Sequence, residues 1–134
     1  MSINPIEITD PTDPRLADYV GLSDPEIRRR SADNQFFISE GVEVVRRLVV
    51  SNMRLRSIVL SPNRVDIMTP ALTGVACPIY VADRKVISSV VGFDMHRGVV
   101  GSAFRPDPLT LDEVLSHPPL YGPRHRIAIL EGLS

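Results

Sequence analysis

The segment from Gly92 to Gly98 contains three side chains that could recognise an anionic ligand. Phe93, His96 and Arg97 lie close together between the two glycines. An exposed Phe93 beside Arg97 could stack on an unpaired base while Arg97 binds a phosphate. In the alternative interpretation, Phe93 and Met95 fold back into the core and His96 and Arg97 are ordinary solvated side chains. The sequence alone leaves both interpretations open.

A second group of charged residues surrounds Glu40. Glu40 ends a predicted strand and Gly41 begins a predicted helix, so its carboxylate could act as a lone acid or base or cap the amides of that helix. Arg46 and Arg47 lie on the same helix, outside its apolar stripe and toward solvent. An arginine triplet at 28–30 covers most of one helical turn, so its members cannot all face one ligand. Arg29 and Arg30 are included as candidates.

Charge is distributed unevenly, although the net charge is only −1. Residues 1–27 carry six acidic residues and one basic residue, whereas residues 28–64 carry eight arginines and three acidic residues. This pattern fits either a compensated charged surface or a basic face that binds a polyanion. Fourteen of the fifteen basic residues are arginine, which binds phosphate bidentately and stacks on bases, although genomic base composition also produces such a bias.

Several classes of function are not supported by the sequence. No apolar run is long enough for a membrane helix, and the first residues lack the pattern of a signal peptide. There is no glycine-rich phosphate loop or nucleophile elbow, and the histidines do not form a metal-binding spacing with Cys77. Cys77 is the single cysteine and is expected to be a buried structural thiol in a reducing, cytoplasmic setting.

The order of the helices and strands that position these residues predicts an α/β domain. A capping box from Ser23 to Glu26 opens a helix toward Asn34, and strand–helix units follow three times before a final strand. The second helix of these units, after Asn63, should break or kink near Pro70. Such an order predicts helices covering a mixed or parallel sheet. The predicted strands are 36–40, 55–60, 77–82 and 99–104.

The predicted domain occupies residues 23–106. Residues 1–22, rich in proline and acids, are expected to form an extended acidic arm, which Ile6, Ile8, Leu16 and Tyr19 could dock onto the domain. Residues 107–125 resemble an inter-domain linker with a small capped helix at Thr110. Residues 126–134 contain the apolar run Ile127–Leu130, which predicts a strand buried on both faces. Either it is an edge strand of this domain, or it is the first strand of a second domain.

Several motifs together resemble the SpoU (TrmH-type) RNA methyltransferases. Residues 37–48, with Glu40 and Gly41 before an amphipathic helix, are similar to the opening of their N-terminal substrate-binding domain. Residues 80–92 and 97–100 match its later strand, helix, loop and closing strand. Residues 127–134 resemble the first strand and turn of the family's catalytic domain. Each motif is weak alone, but their order and spacing are specific.

The resemblance implies a three-layer α/β/α sandwich like that of the kink-turn-binding ribosomal proteins. It implies an RNA-recognition domain of an S-adenosylmethionine-dependent RNA 2′-O-ribose methyltransferase, whose substrate would be structured RNA, most often large-subunit ribosomal RNA. The cofactor, the catalytic residues and the homodimer contacts would belong to the catalytic domain, so this chain alone is expected to be inactive and to hold no metal. The alternative is a standalone RNA-binding protein of the ribosomal kink-turn class. The candidate RNA-binding residues are Arg29, Arg30, Glu40, Arg46, Arg47, Phe93, His96 and Arg97.

Overall fold

A five-stranded mixed sheet organises the chain. A computed structural model describes residues 2–27, 35–119 and 122–132. The sheet has the order β1-β4-β3-β5-β2, in which β1, β4 and β3 are parallel, and β5 runs antiparallel to both β3 and β2. The strands are β1 (Ile6–Glu7), β2 (Phe36–Glu40), β3 (Leu55–Leu60), β4 (Ile79–Val81) and β5 (Val99–Phe104).

Within residues 35–119, four α-helices occur much as the apolar periodicity predicts. In the first of them, Val45 and Leu48 are buried and Val42 and Val49 are partly buried, so the predicted stripe faces the sheet. The second helix contains Pro70 without interruption and ends two residues later. The helices are α1 (Val42–Val50), α2 (Val65–Leu72), α3 (Arg84–Val91) and α4 (Leu111–Ser116), with 3-10 turns at Pro14–Tyr19 and Pro62–Arg64.

Two separate apolar cores lie on opposite faces of the sheet. Neighbouring residues of a strand point to opposite faces, so Ile58 and Leu60 belong to one core while Val59 belongs to the other. The helices α1 and α2 cover the first core with Val45, Met68 and Leu72. The helix α3 and the first 3-10 turn cover the second core. The predicted three-layer α/β/α arrangement is therefore confirmed.

The N-terminal residues are a layer of this domain rather than a separate extended arm. Strand β1 pairs with β4, and Ile8, Leu16 and Tyr19 are each no more than 2% exposed. The segment packs on the domain despite its many prolines and acidic residues, because burial of Ile8, Leu16 and Tyr19 removes a large apolar area from water. Residues 25–27 are helical, and Asp24 rather than Ser23 accepts from the Glu26 amide at 2.8 Å. The predicted continuation of this helix to Asn34 lies outside the described residues.

A polar cluster fixes the first 3-10 turn to the sheet. Arg56 donates to both carboxylate oxygens of Asp18, at 2.6 and 3.0 Å, and Ser102 Oγ donates to the same carboxylate at 2.6 Å. Next to it, the buried Tyr19 hydroxyl donates to Ser57 O at 2.9 Å. Burial favours the protonated form of Asp18, but the bonds from Arg56 and Ser102 hold its pKa below the ordinary range.

The C-terminal residues form the predicted short helix but not the predicted strand. The capping box at Thr110 and Glu113 forms as predicted and begins α4. However, residues 126–132 form no strand, and Ile127, Ile129 and Leu130 are 56%, 87% and 76% exposed. A two-sided buried strand needs hydrogen-bonding neighbours and layers on both faces, and this segment has neither in the described structure.

We predict that Asp18→Asn lowers the free energy of unfolding by about 2 kcal/mol at pH 7, because it leaves the half-buried Arg56 without its counter-charge. The pKa of Asp18 is lowered in the folded state, so its contribution is present above the unfolded pKa of about 3.9 and disappears as the pH falls through the folded pKa. Urea unfolding of the two proteins between about pH 2 and 7 measures the difference between their free energies of unfolding, which should shrink at acidic pH.

The control is Asp94→Asn, which removes an exposed partner of Arg84 and should change the unfolding midpoint much less. Equal losses in the two variants at pH 7 would contradict a special role for the Asp18 cluster.

Candidate nucleic-acid interface

Two of the candidate residues, Glu40 and Arg97, meet at one edge of the sheet. Strands β2, β3 and β4 all run toward this edge and β5 leaves from it, so their loops meet there. Glu40 at the end of β2 consequently lies beside Arg97, with Oε1 and Nε 3.6 Å apart. The two residues are distant in sequence, and the antiparallel pairing of β2 with β5 brings them together. We call the loops at this edge the carboxyl edge.

Two glycines make this arrangement possible. Gly41 has φ of 99°, and its amide donates to Val99 O at 2.8 Å. A Cβ added at Gly41 would be in van der Waals contact with the Arg97 side chain, at 3.6 Å. Gly98 has φ of 69°, and its carbonyl accepts from the Ser61 amide at 2.8 Å. A Cβ at Gly98 would overlap Ser61 Oγ and crowd Arg64. Glycine therefore allows the β3 and β5 ends to approach closely enough to position Arg64 beside Arg97.

Two further arginines extend the basic surface from Arg97. Arg64 Nε donates to Arg97 O at 3.1 Å, and Arg46 donates to Ile67 O at 3.1 Å on the first turn of α2. Arg46 also pairs with Glu43 at 2.7 Å. Arg64 was missing from the predicted site, although its place directly after the turn that ends β3 could have indicated this edge.

The ion pair between Glu40 and Arg97 is loose enough to exchange partners. Their side chains are 35% and 58% exposed, and their separation exceeds that of a hydrogen-bonded pair. Exposed pairs of this kind contribute little to stability, so a phosphate could replace Glu40 at Arg97 at small cost. Arg47 is exposed on α1, one residue beyond Arg46. The carboxyl edge can thus bind an extended anion, with Glu40 available to accept from a base.

The two interpretations of the Gly92–Gly98 loop each describe part of it. Met95 is 1% exposed and belongs to the core, whereas Phe93 is 36% exposed. Phe93 directly follows the Gly92 cap of α3, and the loop then returns beside α3, where the Met95 amide donates to Ser88 Oγ at 3.0 Å. No cation–π contact joins Phe93 to Arg97 among the described residues. Phe93 is exposed, as the stacking interpretation requires, whereas Met95 is held in the core.

The remaining candidates have varied positions. His96 is exposed, with Nδ1 3.3 Å from Asp94 O. Asp94 is held by Arg84, whose hydrogen bonds keep the pKa of that carboxyl below its ordinary range. Cys77 is partly buried against the core, and burial raises the pKa of its thiol. Arg29 and Arg30 lie outside the described residues.

The fold and the carboxyl edge define a three-layer α/β/α domain with an arginine-rich surface at one edge of its sheet. Two solved rRNA methyltransferases from Sinorhizobium meliloti share this fold. One is an AdoMet-bound form, 19% identical, with a TM-score of 0.53 over 75% of this chain and 36% of that chain. The other is 20% identical, with a TM-score of 0.53 over 75% of this chain and 37% of that chain. At such identity the likeness establishes the fold alone.

Sequence comparison identifies curated homologues. Uncharacterized tRNA/rRNA methyltransferases of Mycobacterium bovis and Mycobacterium tuberculosis are 32% identical to this chain over 132 residues. The match covers 96% of this chain but only 43% of each relative's length. No family model matches the chain. The homologues of this chain are thus proteins named as RNA methyltransferases, and it corresponds to less than half of them.

Among residues 2–27, 35–119 and 122–132, no helix is both long and apolar enough to cross a membrane.

We predict that Gly98→Ala destabilises the domain by about 2 to 4 kcal/mol, because it combines a left-handed backbone with overlap against Ser61 and Arg64. The matched control is Gly74→Ala, since Gly74 also has a positive φ, of 80°, but no atom lies within 4 Å of its added Cβ. Backbone strain alone should cost this control about 1 kcal/mol. Urea unfolding compares the two, and similar losses would show that close approach at Gly98 is unimportant.

Proposed function

We propose that this chain is the RNA-recognition domain of an S-adenosylmethionine-dependent RNA 2′-O-ribose methyltransferase of the SpoU (TrmH-type) family, acting on large-subunit ribosomal RNA. The observation that carries the proposal is the position of three arginines: Arg97 lies beside Glu40, Arg64 donates to the Arg97 carbonyl, and Arg46 donates to the Ile67 carbonyl on the first turn of α2. Homologues named as tRNA/rRNA methyltransferases support the choice of RNA among polyanions.

The geometry suits folded RNA better than a single small anion. The three arginines are distributed over α1, the turn before α2 and the loop before β5, so they form a row rather than a closed pocket. A row of guanidinium groups matches successive phosphates, and each guanidinium can bind one bidentately. Glu40 lies within this row and can accept a hydrogen bond from an amino group of a splayed base. In this proposal phosphates supply affinity and Glu40 contributes selectivity.

A separate recognition domain has a clear physical use in such an enzyme. A 2′-hydroxyl is present on every nucleotide, so the reacting atom itself cannot identify the correct site. A tethered domain that binds a nearby structural feature raises the effective concentration of one nucleotide at the catalytic centre. Residues 107–119, which are exposed and include α4, would serve as the tether.

The cofactor and the dimer contacts belong, in this proposal, to a part of the protein beyond this domain. The cavity between α3 and the sheet, lined by Leu16, Tyr19 and Ile87, measures about 10 Å³ and has room for about one water molecule. It cannot admit a nucleoside. When bound elsewhere, S-adenosylmethionine supplies the methyl group, and the residues of this chain only hold and orient the RNA. The strand expected at Ile127–Leu130 would form once that second domain provides its neighbours.

We predict that replacing Arg46, Arg64 and Arg97 together by Gln weakens binding to a large-subunit ribosomal RNA fragment by roughly 100-fold in about 0.1 M salt. The slope of log affinity against log salt should fall by about 3, one for each lost phosphate contact. Fluorescence anisotropy of the labelled fragment over a salt series measures both quantities.

The charge-matched control is the triple change of Arg15, Arg124 and Arg126 to Gln, which removes the same charge at sites away from the three-arginine row. It should retain most of the affinity and of the salt slope. If both triple variants lost affinity equally, the surface would act by net charge alone and the assigned edge would be wrong.

A longer polypeptide that includes this chain should transfer a methyl group from S-adenosylmethionine to RNA, whereas residues 1–134 alone should transfer none. Methylation of the 2′-oxygen removes the nucleophile of alkaline cleavage, so the product should show one nucleotide resistant to mild alkali. Methyl transfer that leaves every position sensitive to alkali would place the modification on a base and overturn the 2′-O assignment.

A further inference from the structure

The opposite edge of the sheet carries an aromatic and arginine cluster that the carboxyl edge does not use. This edge is formed by the starts of β2 and β3 and the end of β5, and we call it the amino edge. Arg54 lies over the Phe104 ring at 4.0 Å from the centroid. Arg56 lies 4.8 Å from the same ring and 5.1 Å from that of Phe36, which is the cross-strand partner of Phe104.

The two arginines of this cluster differ in one important respect. Arg56 is half-buried, and Asp18 neutralises it. A register shift in β3 between Leu55 and Ser57 coincides with Arg56, and such irregularities redirect side chains. Arg54 is exposed, and in the described structure it has no carboxylate partner. Arg54 therefore presents a positive, planar group that its contact with Phe104 holds in place.

A groove adjoins this planar group. Its volume is about 320 Å³, enough for a nucleobase, and its walls include Arg54, Phe104 and Arg105. Arg105 is anchored through its Nε, which donates to Phe36 O at 2.9 Å, so its terminal amino groups remain for a ligand. Gln35 and Asn52 supply amide groups to the walls, and Asp107 supplies one carboxylate. With two arginines and one aspartate, the groove keeps a net positive charge.

We propose that this groove is a second RNA site, which binds one unpaired nucleotide with its base stacked on Arg54 and its phosphate held by Arg105. A guanidinium plane stacks on any base, and the neighbouring amides can bond to base edges without demanding one sequence. The inference rests on the proposed RNA-recognition function and extends it to a surface that no resemblance assigns. The length of β3 places the two sites about 20 Å apart, so a folded RNA could contact both.

Nuclear magnetic resonance titration of the 134-residue chain with a uridine tetranucleotide tests the proposal. Amide shifts should appear around Arg54 and Arg105, and inorganic phosphate at the same concentration should shift Arg105 only weakly. Arg54→Gln, which removes the charge and the guanidinium plane, should weaken tetranucleotide binding by roughly tenfold. Arg54→Lys should weaken it to a similar extent, because lysine keeps the charge but lacks the planar group on which the base stacks. Arg105→Gln should lower the salt slope by about one.

The control variant is Arg124→Gln, which removes one exposed charge outside both sites and should bind as the unaltered chain does. Thermal unfolding of each variant checks that the fold is retained. Shifts confined to Glu40, Arg64 and Arg97 would overturn the second site and leave the proposed function standing. Full affinity in Arg54→Lys would overturn the stacking role. Absence of binding to any RNA by the unaltered chain would overturn both proposals.

Discussion

Strand β5 is the element on which the rest of the structure depends. It hydrogen-bonds to β2 on one side and β3 on the other, and residues 99–103 are buried. Gly101 lies under α1, where an added Cβ would be 3.3 Å from Leu48 and 3.6 Å from Val45, so a larger residue would push the helix outward. Because β5 runs against its neighbours, its start carries Arg97 to Glu40 and its end carries Phe104 to Arg54. The same strand therefore supports both edges.

The charge imbalance of the sequence is resolved only in part by ion pairs among the described residues. An N-terminal acid, Asp18, pairs with Arg56, and Glu40 and Glu43 pair with Arg97 and Arg46. The Asp18 pair is the most buried of these and also bonds to Ser102, so it fixes the N-terminal layer on the sheet. The others are exposed and exchangeable. The acidic residues therefore have two roles. Asp18 stabilises the fold, whereas Glu40 and Glu43 pair with exposed arginines that a phosphate can reach.

Much of the fold could be predicted from the sequence. The strands at 36–40, 55–60 and 99–104 occur as expected, and α1 buries its predicted stripe, because periodicity reports burial directly. The candidate site was harder to predict. Glu40 and Arg97 were identified as separate candidates, whereas Arg64 was missed. Loop residues carry no periodic signal, so their direction depends on strand pairing and on which side chains, such as Met95, the core captures.

The sequence by itself determined the alternating helices and strands, the glycines at 41 and 98, and the surplus of arginine after residue 27. Only the tertiary structure decided that residues 2–22 belong to the domain, that Arg56 is neutralised while Arg54 stays open, and that Ile127–Leu130 has no sheet to join in the described chain. The physical reason is the range of the interactions. Local propensity and periodicity act within one element, whereas charge pairing, stacking and strand burial require a partner that arrives from a distant part of the sequence.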